Sequence, residues 1–137
     1  NKLEEKAAKI MGKEAGLLVP SGTMGNLVSI LVHCVRGTEI IVGDQSHTFY
    51  YEAGGISAFG RIHSRQLKNK EDGTIDIFDI KSAIRMDNIH FPKTSAITLE
   101  NSHNLCNGAS LTPAYINSVS EITNDNNKDE GKCLWKF

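Results

Sequence analysis

Three short polar stretches, each following an apolar run, carry the side chains whose types and spacing could do chemistry. They span residues 21–26, 43–47 and 100–104. Two of them contain a histidine, His47 and His103, whose imidazole can move a proton near neutral pH. If the preceding apolar runs are neighbouring parallel strands, the three stretches meet at one edge of the sheet, where ligands of such sheets gather.

The stretch from Ser21 to Asn26 has the composition of an anion-binding turn. Its glycines let the backbone approach a ligand closely, and the free N–H groups at the start of the following helix favour negative charge. Thr23 adds a hydroxyl donor. The stretch is neither the P-loop pattern nor the dinucleotide fingerprint, and an ordinary strand-to-helix turn also needs small residues. Phosphate binding and a simple turn are both open on this stretch alone.

The two histidines have similarly open interpretations. His47 stands next to Ser46 and three aromatic residues, so its imidazole could stack on a ring, move a proton, or be a surface or capping residue. His103 lies within five consecutive polar residues after an apolar run, which is the arrangement of a site or of a plain polar loop. We interpret the remaining histidines as structural, and these are His33, His63 and His90.

Hydrophobic spacing supplies the elements that must position these loops. Short apolar runs predict strands, at residues 15–19, 39–42, 61–67 and 94–99. Helical spacing predicts helices, at residues 3–11, 27–34, 46–52, 76–85 and 112–123. A charged, glycine-containing surface loop is predicted at residues 68–74. The alternation predicts a three-layer α/β fold, a mostly parallel sheet with helices on both faces.

Composition narrows the classes of function. The chain has 137 residues, the size of one domain or part of a larger one, and 15 basic against 16 acidic residues give a net charge of −1. This balance argues against a nucleic-acid partner and against an anionic membrane partner. The apolar runs are too short to span a bilayer. Three widely spaced cysteines form no disulfide framework, which favours a reducing, cytoplasmic compartment. No metal is expected.

Four sequence segments together resemble the start of the large domain of low-specificity L-threonine aldolases. The segments are Lys13 to Gly16 with Pro20 to Leu27, Ser46-His47 with Glu52 to Gly55, Ile89 to Phe91, and Leu99 to Asn104. Their order and spacing match from about residue 1 to about residue 123, and the combination is far more specific than any one segment. This family belongs to the pyridoxal-phosphate enzymes of the aspartate-aminotransferase fold.

The resemblance implies a PLP-dependent carbon–carbon lyase. Its substrate would be a β-hydroxy-α-amino acid, L-threonine or L-allo-threonine above all, and its products glycine and acetaldehyde. The cofactor would be pyridoxal 5′-phosphate, and the enzyme would be a homo-oligomer, a dimer or a tetramer. The fold implied is the major domain of the aspartate-aminotransferase type, truncated in this chain.

The resemblance also implies a role for each matching residue. Ser21, Gly22 and Thr23 would bind the cofactor phosphate. His47 would stack on the pyridine ring, and His103 would lie near the substrate hydroxyl. Supporting roles fall to three further positions, Glu52, Glu100 and Asn101.

Two features of the family lie downstream of the match, namely the Schiff-base lysine and an Asp-Gly-Ala-Arg run. We therefore expect residues 1–123 to be a partial PLP-binding domain, residues 124–137 to be a divergent or disordered tail, and the isolated chain to be inactive. Two alternatives stay open. One is a non-catalytic truncated form or pseudoenzyme that acts by subunit interaction, and the other is an independent phosphate-binding α/β module.

Overall fold

The computed structural model of the chain describes the backbone of residues 1–130 and 135–136 and the side chains of residues 1–124. The α-helices of this part are α1 (Lys2–Met11), α2 (Gly22–His33), α3 (His47–Tyr50), α4 (Gly55–Ala58), α5 (Ile77–Ala83) and α6 (Pro113–Glu130). The strands are β1 (Glu39–Gly43), β2 (His63–Leu67), β3 (Thr94–Ile97) and β4 (Trp135–Lys136), and Asn104–Cys106 forms a 3-10 turn.

The strands form one parallel sheet in the order β2-β1-β3-β4. In the register of the sheet, Ile41 of β1 lies opposite Arg65 of β2 and Ile97 of β3. Because β1 is flanked on both sides, all five of its residues are buried. The residues that follow β1 and β3 therefore emerge side by side at the carboxyl edge.

Successive residues of β1 face opposite sides of the sheet, and each side is covered by helices. On one side, Ile40 packs in a cluster with α2, α4 and β3, whose other members are Ile30, Cys34, Ile56, Ile62 and Ala96. On the other side, Ile41 packs in a cluster with α5, α6 and β3, whose other members are Ile75, Ile80, Ala83, Ile97, Val119 and Ile122. The predicted three-layer α/β fold is confirmed.

The predicted strand over residues 15–19 is wrong. This segment pairs with no strand of the described residues, and the side chains of Leu17 and Leu18 are 71% and 60% exposed. Its backbone is fixed from α1 instead, because the Leu18 N–H donates to the Glu4 carboxylate at 2.9 Å. Both edges of β1 are already paired with β2 and β3, so β1 has no free edge for this segment.

Three further elements differ from the prediction. The helix predicted over residues 46–52 is only the four-residue α3, and a second short helix that was not predicted, α4, begins at Gly55. The helix predicted to end at Thr123 continues to Glu130. The terminal sequence indicated no strand, yet Trp135–Lys136 pairs with Ala96 and Ile97 as β4. The boundary between a domain and a tail at residue 123 stays a prediction.

The loop predicted at residues 68–74 is anchored to the end of β1 by a buried asparagine. Asn69 is 4% exposed, and its Oδ1 accepts the N–H of Gln45 at 3.0 Å. The Asn69 N–H in turn donates to Asp44 at 2.8 Å. A side chain at Gly43 would collide with the Asn69 amide, so only glycine fits at the end of β1. These contacts fix the backbone where β1 ends and the loop that carries His47 begins.

At the opposite end of β1, a fully buried carboxylate is surrounded by two arginines and a histidine. Both oxygens of Glu39 accept from Arg85, from Nε and Nη2, at 3.3 Å each. Arg65 lies 3.7 Å from the same carboxylate and His63 lies 3.5 Å from it. The Arg85 guanidinium also stacks over the Phe91 ring, 5.1 Å from its centroid. Arg85 therefore ties the segment before β3 to the start of β1.

We expect the Cys34 thiol to be unreactive in the folded chain. Burial between α2 and the sheet raises the pKa of Cys34 to about 11, from a usual value of 9.0. At neutral pH this lowers the thiolate population about 100-fold, and thiolate is the reactive form. In a Cys106→Ser, Cys133→Ser background, a disulfide reagent such as DTNB should label Cys34 slowly in buffer and rapidly in denaturant. Equal rates in both would contradict this packing.

The same shift has a consequence for stability. The folded-state pKa of Cys34 lies above the unfolded-state value. The contribution of the buried thiol to the free energy of unfolding is therefore fully present below pH 9.0 and is lost as the pH rises toward about 11.

Candidate active site

The segments that follow β1 and β3 enclose a cavity at the carboxyl edge of the sheet. Its volume is about 330 Å³. The residues lining it come from α2, from the loop after β1 and from the loop after β3, and they are Asn26, Ser29, Ile30, Ser46, His47, Thr48, Thr98, Leu99, Glu100 and Asn101. The second and third polar stretches, which follow β1 and β3, therefore meet at this cavity as predicted. The first stretch contributes Asn26, which lies on α2.

Glu100 joins the two loops that follow the strands. Its Oε2 accepts the backbone N–H of His47 at 2.7 Å, and its Oε1 accepts the backbone N–H of Asn104 at 2.9 Å. The carboxylate satisfies an N–H group at the start of α3, which helix geometry leaves without a partner. Glu100 thus sets the distance between the loop that carries His47 and the loop that carries His103.

The His47 imidazole is fixed on one side and accessible on the other. Its Nδ1 lies 3.0 Å from Oε1 of Glu52, and 42% of the side chain is exposed, against 4% for Glu52. The Tyr51 ring lies against it, with a centroid distance of 5.4 Å and an angle of 46°. His47 therefore presents a positioned aromatic ring at the wall of the cavity.

The glycine-rich turn lies outside the cavity lining, at the exposed start of α2. The Ser21 hydroxyl accepts the N–H of Met24 at 3.1 Å and caps the helix. Within the described part of the chain, the N–H groups of Gly22 and Thr23 donate to no acceptor. Nothing lies within 4 Å of the space where a Gly22 side chain would stand. The turn therefore offers two free donors and open space.

His103 is fully buried and does not line the cavity. Among the residues that the structure describes, neither of its ring nitrogens has a hydrogen-bond partner, and Nε2 lies 3.9 Å from Oε2 of Glu100. A Cβ at Gly73 would lie 3.0 Å from Cβ of His103, and Gly73 has a φ of +79°, so glycine is needed there. The sequence left a site and a plain polar loop open for this stretch, and the structure turns the imidazole inward against Gly73.

Asn101 lines the cavity, and its Oδ1 accepts the N–H of Leu111 at 3.1 Å. The supporting residues inferred from the sequence, Glu52, Glu100 and Asn101, thus each hold a neighbouring group in place.

Two cavity residues were not singled out from the sequence. Asn26 lies one helical turn beyond Gly22, and its Nδ2 donates to Glu52 at 2.6 Å. Helical spacing from the turn is the signal that could have identified it. Thr48 follows His47, and its buried Oγ1 has no hydrogen-bond partner within residues 1–124. No local pattern marks such a hydroxyl as unsatisfied.

The described residues offer neither a metal centre nor a membrane span. Among them, no group of three or more histidine, cysteine or acidic side chains is arranged to hold a metal ion. No helix in the same part of the chain combines the length and the apolar character that crossing a membrane requires.

The sequence is similar to curated threonine aldolases over most of its length. It is 52% identical over 124 residues to low-specificity L-threonine aldolase 1 of Arabidopsis thaliana, covering 88% of this chain and 35% of that protein. It is 39% identical over 127 residues to the low specificity L-threonine aldolase of Escherichia coli (strain K12), covering 93% of this chain and 37% of that protein. The chain thus spans about a third of the length of these relatives.

A solved structure shares the fold. Threonine aldolase from Leishmania major superposes with a TM-score of 0.66 at 21% identity, covering 85% of this chain and 32% of that one. The model of the family described as beta-eliminating lyase matches residues 1–129, which is nearly the whole chain. The chain therefore belongs to the beta-eliminating lyase family, and its relatives from Arabidopsis thaliana and Escherichia coli are low-specificity L-threonine aldolases.

Proposed function

We propose that this chain is the N-terminal part of the cofactor-binding domain of a threonine aldolase, which cleaves L-threonine or L-allo-threonine to glycine and acetaldehyde. The observation that carries the proposal is His47 at the cavity wall, whose half-exposed imidazole lies against the Glu52 carboxylate and whose backbone N–H donates to Glu100. The 52% identity to a low-specificity L-threonine aldolase supports the same activity.

The residues present fit pyridoxal 5′-phosphate, the cofactor that the family implies. The free N–H groups of Gly22 and Thr23 suit a phosphate, since the start of a helix favours an anion. The His47 ring suits one face of a planar pyridine. The buried Oγ1 of Thr48 has no partner among the described residues and could hydrogen-bond to a polar group of the cofactor.

Each residue has a distinct task in the proposed site. Gly22 and Thr23 bind the phosphate, with Ser21 shaping the turn, and His47 orients the ring. When bound, the cofactor supplies an electron sink for the bond that is cleaved. His103 accepts the proton of the substrate hydroxyl. Because its imidazole is fully buried, loop 100–104 must open before His103 contacts a substrate.

We also propose a homo-oligomer in the cytoplasm for the complete enzyme. Exposed apolar side chains on and just after α2 support further packing, with Val32 72% and Val35 70% exposed. The thiols of Cys34 and Cys106 are free, which supports a reducing compartment.

The isolated chain should neither hold the cofactor covalently nor turn over threonine. No residue lining the cavity is a lysine, so no amine is placed there to form a Schiff base. After incubation with pyridoxal phosphate and borohydride, mass spectrometry should find no stoichiometric pyridoxyl-lysine. The Arabidopsis relative, treated in parallel, is the positive control. A single lysine labelled stoichiometrically in this chain would contradict the prediction.

The two alternatives make different predictions for ligand binding. A thermal-shift comparison should show stabilisation by pyridoxal phosphate over nucleotides if the chain is an aldolase domain. Preference for nucleotides would favour the independent phosphate-binding module, and no response to either would favour a form that acts only by subunit interaction.

A further inference from the structure

Three side chains from three parts of the chain form a continuous hydrogen-bonded series beside the cavity. Asn26 Nδ2 on α2 donates to Glu52 Oε1 at 2.6 Å. The same Oε1 lies 3.0 Å from Nδ1 of His47 on α3. Glu52 lies between α3 and α4, and its side chain is 4% exposed. Within the described residues, its carboxylate contacts polar groups of Asn26 and His47.

The chemistry of the carboxylate assigns the proton at each contact. An ionised carboxylate only accepts hydrogen bonds, so Asn26 must turn its amide nitrogen, and not its oxygen, toward Glu52. For the same reason Nδ1 of His47 must carry its proton. In a neutral imidazole one nitrogen is a donor and the other an acceptor, so Nε2 of His47 is left as the acceptor.

Among the described residues, Asn26 is connected to His47 by hydrogen bonds that pass through Glu52. A nearly buried carboxylate is costly unless donors surround it, and charge-assisted hydrogen bonds to an ionised acceptor are the stronger class. The 2.6 Å contact from Asn26 satisfies Glu52 without adding a charge. It also fixes the carboxylate relative to α2, so that the oxygen facing His47 stays in place.

We propose that Asn26 is a positioning residue that, through Glu52, holds His47 in the tautomer with the proton on Nδ1. The meaning of this for catalysis rests on the proposed function, because a fixed ring with an acceptor Nε2 matters most if a cofactor packs against it. The tautomer itself is a property of the free chain.

Nitrogen-15 NMR of the histidine rings tests the proposal without any cofactor. In alkaline buffer, where the rings are neutral, protonated and unprotonated ring nitrogens have separate chemical shifts. His47 of the 137-residue chain should show a protonated Nδ1. In Glu52→Ala and in Asn26→Ala, the tautomer ratio should move toward Nε2–H, by about fivefold in Asn26→Ala, the equivalent of one hydrogen bond.

The controls separate positioning from general disturbance. Alanine is the best helix former and Asn26 is only half-buried in α2, so Asn26→Ala should fold, and Asn26→Ser provides a second variant. Ser29→Ala changes another cavity residue of α2 that has no side-chain hydrogen bond to Glu52 or His47 among the described residues, and should leave the ratio unchanged. The signals of His63, at the amino end of β2 and away from the cavity at the carboxyl edge of the sheet, should not move in any variant.

Two outcomes would overturn the proposal. The first is a protonated Nε2 in the unsubstituted chain. The second is an unchanged His47 ratio in folded Asn26→Ala and Asn26→Ser alongside a changed ratio in Glu52→Ala. A separate titration with pyridoxal phosphate tests the proposed function. If the chain does not bind the cofactor but the variants shift the tautomer ratio, the proposed function is refuted and the positioning role of Asn26 is not.

Discussion

Replacing His47 by alanine should weaken the binding of pyridoxal phosphate to this chain about tenfold, because the ring that we propose to pack on the cofactor is lost. The affinity is lost because the imidazole no longer stacks on the pyridine ring. Glu52 keeps its hydrogen bond from Asn26 in the variant. Cofactor absorbance and fluorescence, titrated against protein concentration, provide the measurement.

A matched substitution separates the ring from its polar atoms. His47→Phe keeps an aromatic ring but removes Nδ1, so it should bind the cofactor to within about threefold of the unsubstituted chain. His63→Ala, at the amino end of β2, should bind like the unsubstituted chain. Equal weakening by His47→Ala and His63→Ala would show that His47 does not contact the cofactor.

Replacing Arg85 by methionine should lower the free energy of unfolding by about 3 kcal/mol, the range found when one partner of a buried ion pair is removed. Glu39 is fully buried and accepts from Arg85 with both oxygens. Arg65 and His63 lie farther from the carboxylate, at 3.7 and 3.5 Å, so they replace Arg85 only in part. Urea denaturation followed by circular dichroism measures the loss.

Arg36→Met is the matched control for Arg85→Met. Arg36 is exposed after α2, and the same change of side chain there should alter stability by less than about 0.5 kcal/mol. Glu39→Gln combined with Arg85→Met should recover part of the loss, because no buried charge is then left unpaired. Equal stability of Arg85→Met and Arg36→Met would contradict the assignment of Glu39 as a paired buried carboxylate.

The sheet and its layers were predictable because local patterns are sufficient for them. The apolar run of β1 ends at Gly43, and helical spacing marks α1, α2 and α5. Residues 15–19 have the same apolar character as β1, yet residues 15–18 are exposed, because an apolar run predicts burial without identifying a partner. The β4 pairing joins Trp135 to Ala96 across about forty residues, and no local pattern encodes that contact.

The sequence identified His47, Glu100 and Asn101, which line the cavity, but not the geometry that relates them. His47 and Glu100 were inferred to belong together, and the structure joins them by a hydrogen bond of 2.7 Å. The inward turn of His103 depends on Gly73, thirty residues earlier in the chain. The contact of Asn26 with Glu52 depends on how α2 packs near α4. Such contacts arise from tertiary packing, which spacing along the chain does not specify.

The most direct test of the proposed cofactor site is a titration of the nitrogen-15-labelled chain with pyridoxal phosphate. We expect saturable shifts at the backbone amides of Gly22 and Thr23 and at the ring of His47, with inorganic phosphate moving only the two amides. A second, polar groove is lined by Lys68, Lys70, Asp76 and Asp79 among others. Shifts confined to that groove, or no saturable shift at Gly22, Thr23 and His47, would contradict the proposed site.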